Sequence, residues 1–409
     1  MNFSFAENET IDESGCIGDE DLESEDESRL LFEFISYGIL LNIVGLFGIM
    51  GNVVSMIILT RPQMKSSINY LLTGLARCDT VLILTSIFLF GIPAVYRYSK
   101  TPFLFDYYYR IYPFLSKVLY PVALIAQTVT VYLTLTVTLE RFVAVCHPLQ
   151  ARRLCTYGRA RIYVILVIIF SVAYNLSRFW EVNIVEAFDP AMNMTVYSPE
   201  PTEMRKNPQY ISIYINWLYL FFIYFFPFTC LAILNTAIYR QVRKANRERQ
   251  KLSRLQKKEI GLATMLLCVV IVFFLCNILA LVVNILESFY CIIFDQMVQM
   301  NNLLVTINSS VNFVIYVIFG EKFKRLFIKL FCTHGPFCSH GRESPDCNTF
   351  HEESVVLSNG ETRFSIRATN GRASSKQIPC VYYPGRQRSE QWSNELTVTT
   401  SLNSGGKFY

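Results

Sequence analysis

The sequence predicts an all-α membrane protein, a seven-transmembrane helix bundle with a short amphipathic eighth helix. Three observations carry this expectation. Hydrophobic residues make up 52% of the 409-residue chain and charged residues 17%, against roughly 25% charged in ordinary soluble domains. Apolar runs of about 20 residues, the length that crosses a hydrocarbon core about 30 Å thick, occur seven times. A bilayer core offers no water to backbone groups, so such runs must be helical, and they are far too long for barrel strands. The same features exclude a soluble globular enzyme, a collagen or coiled-coil fibre and a wholly disordered chain.

The runs lie at Phe34–Leu59, Asn69–Ile92, Pro113–Cys146, Ala160–Leu176, Ile211–Tyr239, Gly261–Leu286 and Asp295–Phe319. The third is too long for an upright crossing, which predicts a tilted helix protruding on the cytoplasmic side. Asn301, Asn302, Asn308, Ser309, Ser310 and Asn312 interrupt the seventh, as befits a helix packed inside a bundle. Lys and Arg set the orientation. Nine fall between Arg240 and Glu259 and four between Cys146 and Arg161, whereas Glu287–Asp295 has none. This predicts an extracellular N-terminus, a cytoplasmic C-terminus and a multi-pass protein of the plasma membrane. The sequons at Asn2, Asn8 and Asn193 then fall outside, as glycosylation requires.

Four segments follow from this reading. Residues 1–33 hold twelve Asp or Glu and a single Arg, and form an extracellular acidic tail. Residues 34–319 are the bundle and 320–331 the amphipathic eighth helix. Residues 332–409, rich in Ser, Thr, Asn, Gly and Arg without periodicity, form a disordered cytoplasmic tail. With no signal peptide, the first span is expected to direct insertion. No internal repeat points to a transporter built from inverted halves.

An ionisable residue inside a span marks function by default. Asp79 sits mid-span, with Asn52, Thr130, Asn308, Ser309 and Asn312 as polar partners from other helices. A buried carboxylate needs a cation, hydrogen-bond donors or a proton. The set reads as a sodium or proton site, or as a network that only fixes helix packing. Arg77 is close enough to the cytoplasmic boundary to snorkel. Glu140 and Arg141 end the third span, either as a salt bridge that a partner breaks or as two interfacial anchors.

These residues stand in an ordered pattern. Gly51-Asn52-Val53 lies on the first span, Leu75-Ala76 precedes Asp79 on the second, and Glu140-Arg141-Phe142 closes the third. Pro227 lies within the fifth, and Asn312-Phe313-Val314-Ile315-Tyr316 near the end of the seventh. Phe319-Gly320-Glu321-Lys322-Phe323-Lys324-Arg325 follows as a membrane-surface helix. Over nearly all of residues 34–330 the chain resembles the rhodopsin-like G-protein-coupled receptors. Ser66–Asp79 and Ala245–Gln250 look closer still to invertebrate FMRFamide neuropeptide receptors. The resemblance implies an activation switch at Glu140, Arg141, Asn312 and Tyr316. It also implies an amidated peptide ligand, coupling to heterotrimeric G proteins, and recruitment of an arrestin-like protein by a phosphorylated tail.

The chain departs from that family in several places. The family's outer Cys on the third span is Ser116 here, and Arg178–Tyr210 contains no Cys, so the usual bridge to the second outer loop cannot form. That loop must be held by packing, by hydrogen bonds, or not at all. Of the 12 cysteines, Cys16 and Cys291 are the two expected outside and form the candidate disulfide. Asn277-Ile278-Leu279-Ala280 replaces the family's Cys-Trp-x-Pro, Phe313 replaces the seventh-span proline, and the fourth span has no central Trp.

Absences narrow the ligand. Ala123 stands where amine receptors carry Asp, and the seventh span has no Lys for a Schiff base. A peptide, a lipid or another ligand remains. Gln127, Asn302 and Thr306 offer hydrogen bonds in the outer half, Leu281 and its neighbours apolar lining. Peptides ending in Arg-Phe-amide imply an acid for the guanidinium. The candidates are Glu181 beside Trp180, Glu186, Glu287 and Asp295, with Glu287 favoured. Inside, the basic run Arg240–Lys258 suits membrane lipids and an acidic partner rather than nucleic acid. Cys332 is a palmitoylation candidate, and the Cys/His tract from Cys332 to His351 matches no paired zinc spacing. No catalytic constellation stands out and no cofactor is expected beyond sodium as an allosteric ion. The rival classes are a channel or transporter and a membrane scaffold.

Overall fold

A computed structural model describes residues 27–190, 194–247, 254–290 and 295–332, all within one compact unit. Seven helices are long and apolar enough to cross a membrane: α1 (Glu27–Leu59), α2 (Ser67–Ser99), α3 (Pro102–Cys146), α4 (Tyr157–Trp180), α5 (Pro208–Ala245), α6 (Arg254–Tyr290, apolar over Gly261–Leu286) and α7 (Asp295–Phe319). A short helix α8 (Glu321–Phe327) follows. Asn2, Asn8, Asn193, Cys16, Cys291 and the tail beyond Cys332 lie outside the described residues, as do the side chains of Glu287 and Cys332.

The sequence-derived bounds of the seventh span coincide with its helix, those of the sixth mark the apolar part of a longer helix, and the others fall short by several residues, most at the start of α3. At the first span, α1 starts at Glu27, inside the segment read as a tail, and Glu33 forms an ion pair with Arg97 near the end of α2. Hydropathy stops where charges begin, but a helix continues into the headgroup region as long as its polar residues find partners.

Three spans contain wide π-helical stretches that end just before a proline: Ile87–Gly91 before Pro93, Tyr107–Ile111 before Pro113, and Leu220–Phe225 before Pro227. Proline has no N–H and its ring crowds the carbonyl four residues back, so the preceding turn opens to longer-range bonds. α6 has no proline and runs without a break for 37 residues.

Buried apolar side chains form two main layers. Tyr37, Leu41, Leu89, Leu124, Tyr224 and Leu303 belong to the outer one. Ile58, Leu71, Leu72, Met265, Ile315 and Tyr316 belong to the cytoplasmic one. α1 approaches α7 closely through small residues, as membrane helices commonly do. A Cβ placed on Gly51 would sit 2.9 Å from the Cβ of Phe313, and one on Gly48 would collide with Ser310. α4 turns its apolar surface outward, with Ile162, Ile165, Leu166 and Ile169 each more than half exposed.

The second outer loop is ordered by means the sequence left open. It forms an antiparallel hairpin, β1 (Val182–Asp189) with β2 (Met194–Pro201), in which Val182 pairs with Pro201 and Asp189 with Met194. Its base is an ion pair. Arg178 Nη1 donates to Glu181 Oε1 at 3.0 Å, and both side chains are almost fully buried, at 3% and 1% exposed. Tyr210 donates to the same carboxylate at 2.7 Å and Arg205 lies 3.8 Å from its other oxygen. The Arg178 guanidinium stacks on the rings of Tyr214 and Tyr219, at 4.8 and 5.8 Å. Thr202 closes the base by donating to the carbonyl of Trp180 at 2.8 Å. Among the described residues no disulfide forms.

Breaking this pair strands a buried charge, which costs about 3–5 kcal/mol where both partners are dry. Glu181→Ala is therefore expected to lower the unfolding temperature of the purified protein and its surface expression. Arg178→Met combined with Glu181→Leu should recover part of the loss, since the apolar pair leaves no charge stranded. Wild-type unfolding by Glu181→Ala would show that the loop does not depend on the pair.

Candidate functional site

Asp79 lies at the centre of the bundle and is fully buried. Thr130 of α3 donates to its Oδ1 at 3.0 Å, and Asn312 Nδ2 of α7 donates to its Oδ2 at 2.8 Å. Ser309 lies against the same carboxylate. Asn52 of α1 joins the group by donating to the backbone carbonyl of Ser309 at 3.1 Å. The acid thus ties α2 to α3 and α7, and the Asn52 bond ties α7 to α1. Of the residues the sequence placed here, Thr130 and Asn312 donate to the carboxylate, whereas Asn52 is linked to it only through the backbone of Ser309. Arg77, two residues from Asp79, points to the perimeter and is exposed, the orientation snorkelling needs. Asn52 Oδ1 and Ser55 Oγ are buried in this layer without a hydrogen-bond partner. Unsatisfied oxygens beside a lone carboxylate suit a hard cation that takes oxygen ligands.

At the cytoplasmic end Arg141 Nη2 lies 3.3 Å from Glu140 Oε1, and both side chains are buried. Ser67, the first residue of α2, donates to Glu140 Oε2 at 3.1 Å. Glu140 is thereby fixed from α2, and its neighbour Arg141 is held against it. Ser67 was not visible as a participant in the sequence, because nothing in a helix-start serine says which distant acid it will meet. Tyr316 is buried below Asn312 and packs edge to face on Phe323 of α8, with ring centroids 5.6 Å apart. Phe313 packs on Phe323 and on Phe327, so the residue replacing the family's proline fastens α8 to α7.

The outer half gathers the predicted pocket residues around one apolar cluster. Gln127, Asn302 and Thr306 are buried, and Leu281 packs partly buried against Tyr120, Leu124, Tyr219 and Tyr224. Asn302 Nδ2 donates to the hydroxyl of Tyr37 on α1 at 2.8 Å, a partner the sequence reading missed. Thr306 donates to the backbone carbonyl of Asn302, one turn back, so its proton is spent within the helix. On α6, Asn284 reaches the Tyr224 hydroxyl at 3.4 Å. Below it, Phe228 meets Phe273 and Phe274 edge to face, at 5.5 and 5.3 Å. These rings fill the α5–α6 contact in a chain without the family's tryptophan.

Glu181 is held by Arg178 and Tyr210, with Arg205 3.8 Å from its other oxygen, so a ligand guanidinium would have to compete for it. Trp180 is 61% exposed. Glu186 is exposed on β1, and Asp295 is exposed at the start of α7, near Glu33. Glu33, read as part of an unstructured tail, is thus a further acid at the outer mouth.

The model for the rhodopsin-family seven-transmembrane receptors matches residues 51–316. The chain is 57% identical over 342 residues to an FMRFamide receptor of Drosophila melanogaster, a match covering 84% of this chain and 61% of that receptor. It is 30% identical to an FMRFamide peptide receptor of Caenorhabditis elegans, over 88% of this chain and 84% of that protein. A sex peptide receptor of Drosophila melanogaster is 24% identical, over 75% and 74%. The matched segment is thus about three-fifths of the Drosophila FMRFamide receptor's length. A family match over most of the bundle, an inward carboxylate met from α3 and α7 and a Glu-Arg pair closing α3 agree: the chain belongs to the rhodopsin family of seven-transmembrane receptors.

Proposed function

We propose that this chain is a cell-surface receptor for FMRFamide-like neuropeptides that signals through heterotrimeric G proteins. The observation that carries the reading is the high identity to the Drosophila FMRFamide receptor across the whole bundle. The outer pocket supports it, with buried amides at Gln127 and Asn302 that can both donate and accept, as a peptide backbone requires. The N-terminus is outside and the C-terminus inside by the distribution of Lys and Arg. Asn2, Asn8 and Asn193 are then glycosylation sites, and Cys16 with Cys291 the candidate outer bridge. With Glu181 held by Arg178 and Glu33 by Arg97, the ligand's arginine falls to Glu287, Asp295 or Glu186.

Signalling is a population shift. A peptide that binds the open-cytoplasmic state more tightly raises that state, and by reciprocity the G protein raises peptide affinity. In the described state Arg141 is held by Glu140, and Glu140 by Ser67. Opening the cytoplasmic end frees Arg141 for the G protein, and the basic run Arg240–Lys258 adds charge beside it. Sodium is the ion that the family fold implies near Asp79. Asp79, Thr130, Ser309 and Asn52 supply only oxygen donors, and the buried oxygens of Asn52 and Ser55 lack partners, so the residues fit. The ion would supply the positive charge that a buried carboxylate lacks. Phosphates on Ser and Thr of the tail would recruit an arrestin-like protein by clustered negative charge, and palmitate on Cys332 would hold α8 to the membrane.

The first test is a dose–response panel of amidated and free-acid peptides on cells expressing the full chain. Amidated peptides ending in Arg-Phe are expected to be the most potent, and a response only to another peptide or a lipid would replace the ligand class. Solute flux without G protein would instead make the chain a channel or transporter.

Two substitutions test the mechanism. Extracellular sodium is expected to lower agonist affinity by about 5- to 150-fold, the usual range of coupling between two sites, and Asp79→Asn to abolish the effect. Equal sodium dependence in both proteins would leave Asp79 a packing role alone. Arg141→Ala is expected to abolish G-protein activation at matched surface expression while peptide binding persists. Normal signalling by that variant would overturn the switch.

A further inference from the structure

The cytoplasmic ends of α2 and α4 carry a cation–aromatic cluster that neither the polar centre nor the Glu140–Arg141 pair uses. Lys65 Nζ lies 5.3 Å from the centroid of the Tyr157 ring, and Arg161 Cζ lies 4.9 Å from the same centroid. Arg161 also lies 6.0 Å from the Tyr70 ring, and the two tyrosines meet edge to face at 5.1 Å. All these distances are within the range at which a ring face attracts a cation. Both cations are exposed, and neither forms an ion pair with a carboxylate among the described residues. Sharing one ring places the two like charges within about 10 Å of each other, where a single anionic group gains from both.

The cluster's position says what kind of anion. Ser67 and Tyr157 are the first residues of their spans, so Lys65 and Arg161 stand level with the membrane boundary. Directly along α4, Ile162, Ile165 and Leu166 are 55%, 55% and 57% exposed. This is the perimeter of the bundle, where lipid lies. The Glu140–Arg141 pair is buried in the interior. A soluble partner docking at the centre would meet Arg141, whereas a lipid headgroup at the membrane boundary would meet this flank.

We infer that this cluster is a site for a phospholipid whose headgroup carries phosphomonoesters. Arg161 takes one phosphate through its planar fork and Lys65 bonds a neighbouring one as a point charge, while Tyr157 and Tyr70 keep both cations in place. A phosphomonoester carries about −1.5 to −2 at neutral pH, more than the single net charge of a serine phospholipid, so the site discriminates by charge density as well as by sign. The site is separate from the ligand pocket and does not depend on which peptide the receptor takes.

The test uses the full chain in nanodiscs of phosphatidylcholine containing either phosphatidylinositol 4,5-bisphosphate or phosphatidylserine, matched for total charge. Ligand that binds only the folded state raises the unfolding temperature. The bisphosphate lipid is expected to raise it by several degrees more than the serine lipid, and Lys65→Gln with Arg161→Gln to remove that difference. Tyr157→Leu, which retains both charges, should reduce it by at least half. Arg152→Gln with Arg153→Gln, an exposed basic pair elsewhere on the same side, should leave it intact. If the double variant fails to fold, the exchange Lys65→Arg with Arg161→Lys reads the same site, with at least half the difference retained because both charges remain. Equal unfolding temperatures in the two lipids would overturn the site. So would an equal shift from soluble inositol trisphosphate or from a phosphorylated peptide of the chain's own tail, since either would show that the membrane-borne headgroup is not the ligand.

Discussion

A carboxylate at the middle of an apolar bundle must be met by donors that only other helices can bring, and much of the arrangement follows from how Asp79 is met. Thr130 and Asn312 reach its two oxygens from α3 and α7, and Asn52 ties the α7 backbone to α1. Apolar side chains alone would not fix how these helices sit, because lipid tails are as good a solvent for leucine as another helix is. Hydrogen bonds to one buried acid join α2 to α3 and α7, and the Asn52 bond to the α7 backbone adds α1.

The outer face answers a second constraint in an unusual way. A long loop over a ligand mouth needs an anchor, and without a cysteine at Ser116 the chain uses charge. Arg178 and Glu181 are dry, mutually paired and flanked by Tyr210, Tyr214 and Tyr219. An exposed ion pair would be worth only about 0–1 kcal/mol. Burial raises both the attraction and the penalty for losing either partner, which is why this pair can fix the base of a hairpin. The Glu181 carboxylate is also the acceptor for Tyr210, so one acid serves both the ion pair and the start of α5.

Aromatic packing takes over where proline and tryptophan are missing. Phe313 fills the close approach of α1 at Gly51 and carries α8 through Phe323 and Phe327. Phe228, Phe273 and Phe274 fill the α5–α6 contact. Rings offer large contact areas with few preferred geometries, so such contacts have a small number of alternative packings, as a two-state bundle needs. α6 itself is unbroken over Arg254–Tyr290.

The sequence by itself determined the class of fold, the number of spans and the inward-facing polar set. These are properties of periodicity and of the energetic cost of a polar group in hydrocarbon, both local in the chain. It also located Arg141 beside Glu140, because neighbours on a helix are neighbours in space. It did not reveal that Ser67 grips Glu140, that Tyr37 meets Asn302 across 265 residues of chain, or that Glu33 belongs to a helix and pairs with Arg97. Nor did it separate Glu181 from the other outer acids. Each of those outcomes depends on which side chains converge when seven helices pack. A residue's own letter states what bonds it can make, and only the tertiary structure decides which partner arrives.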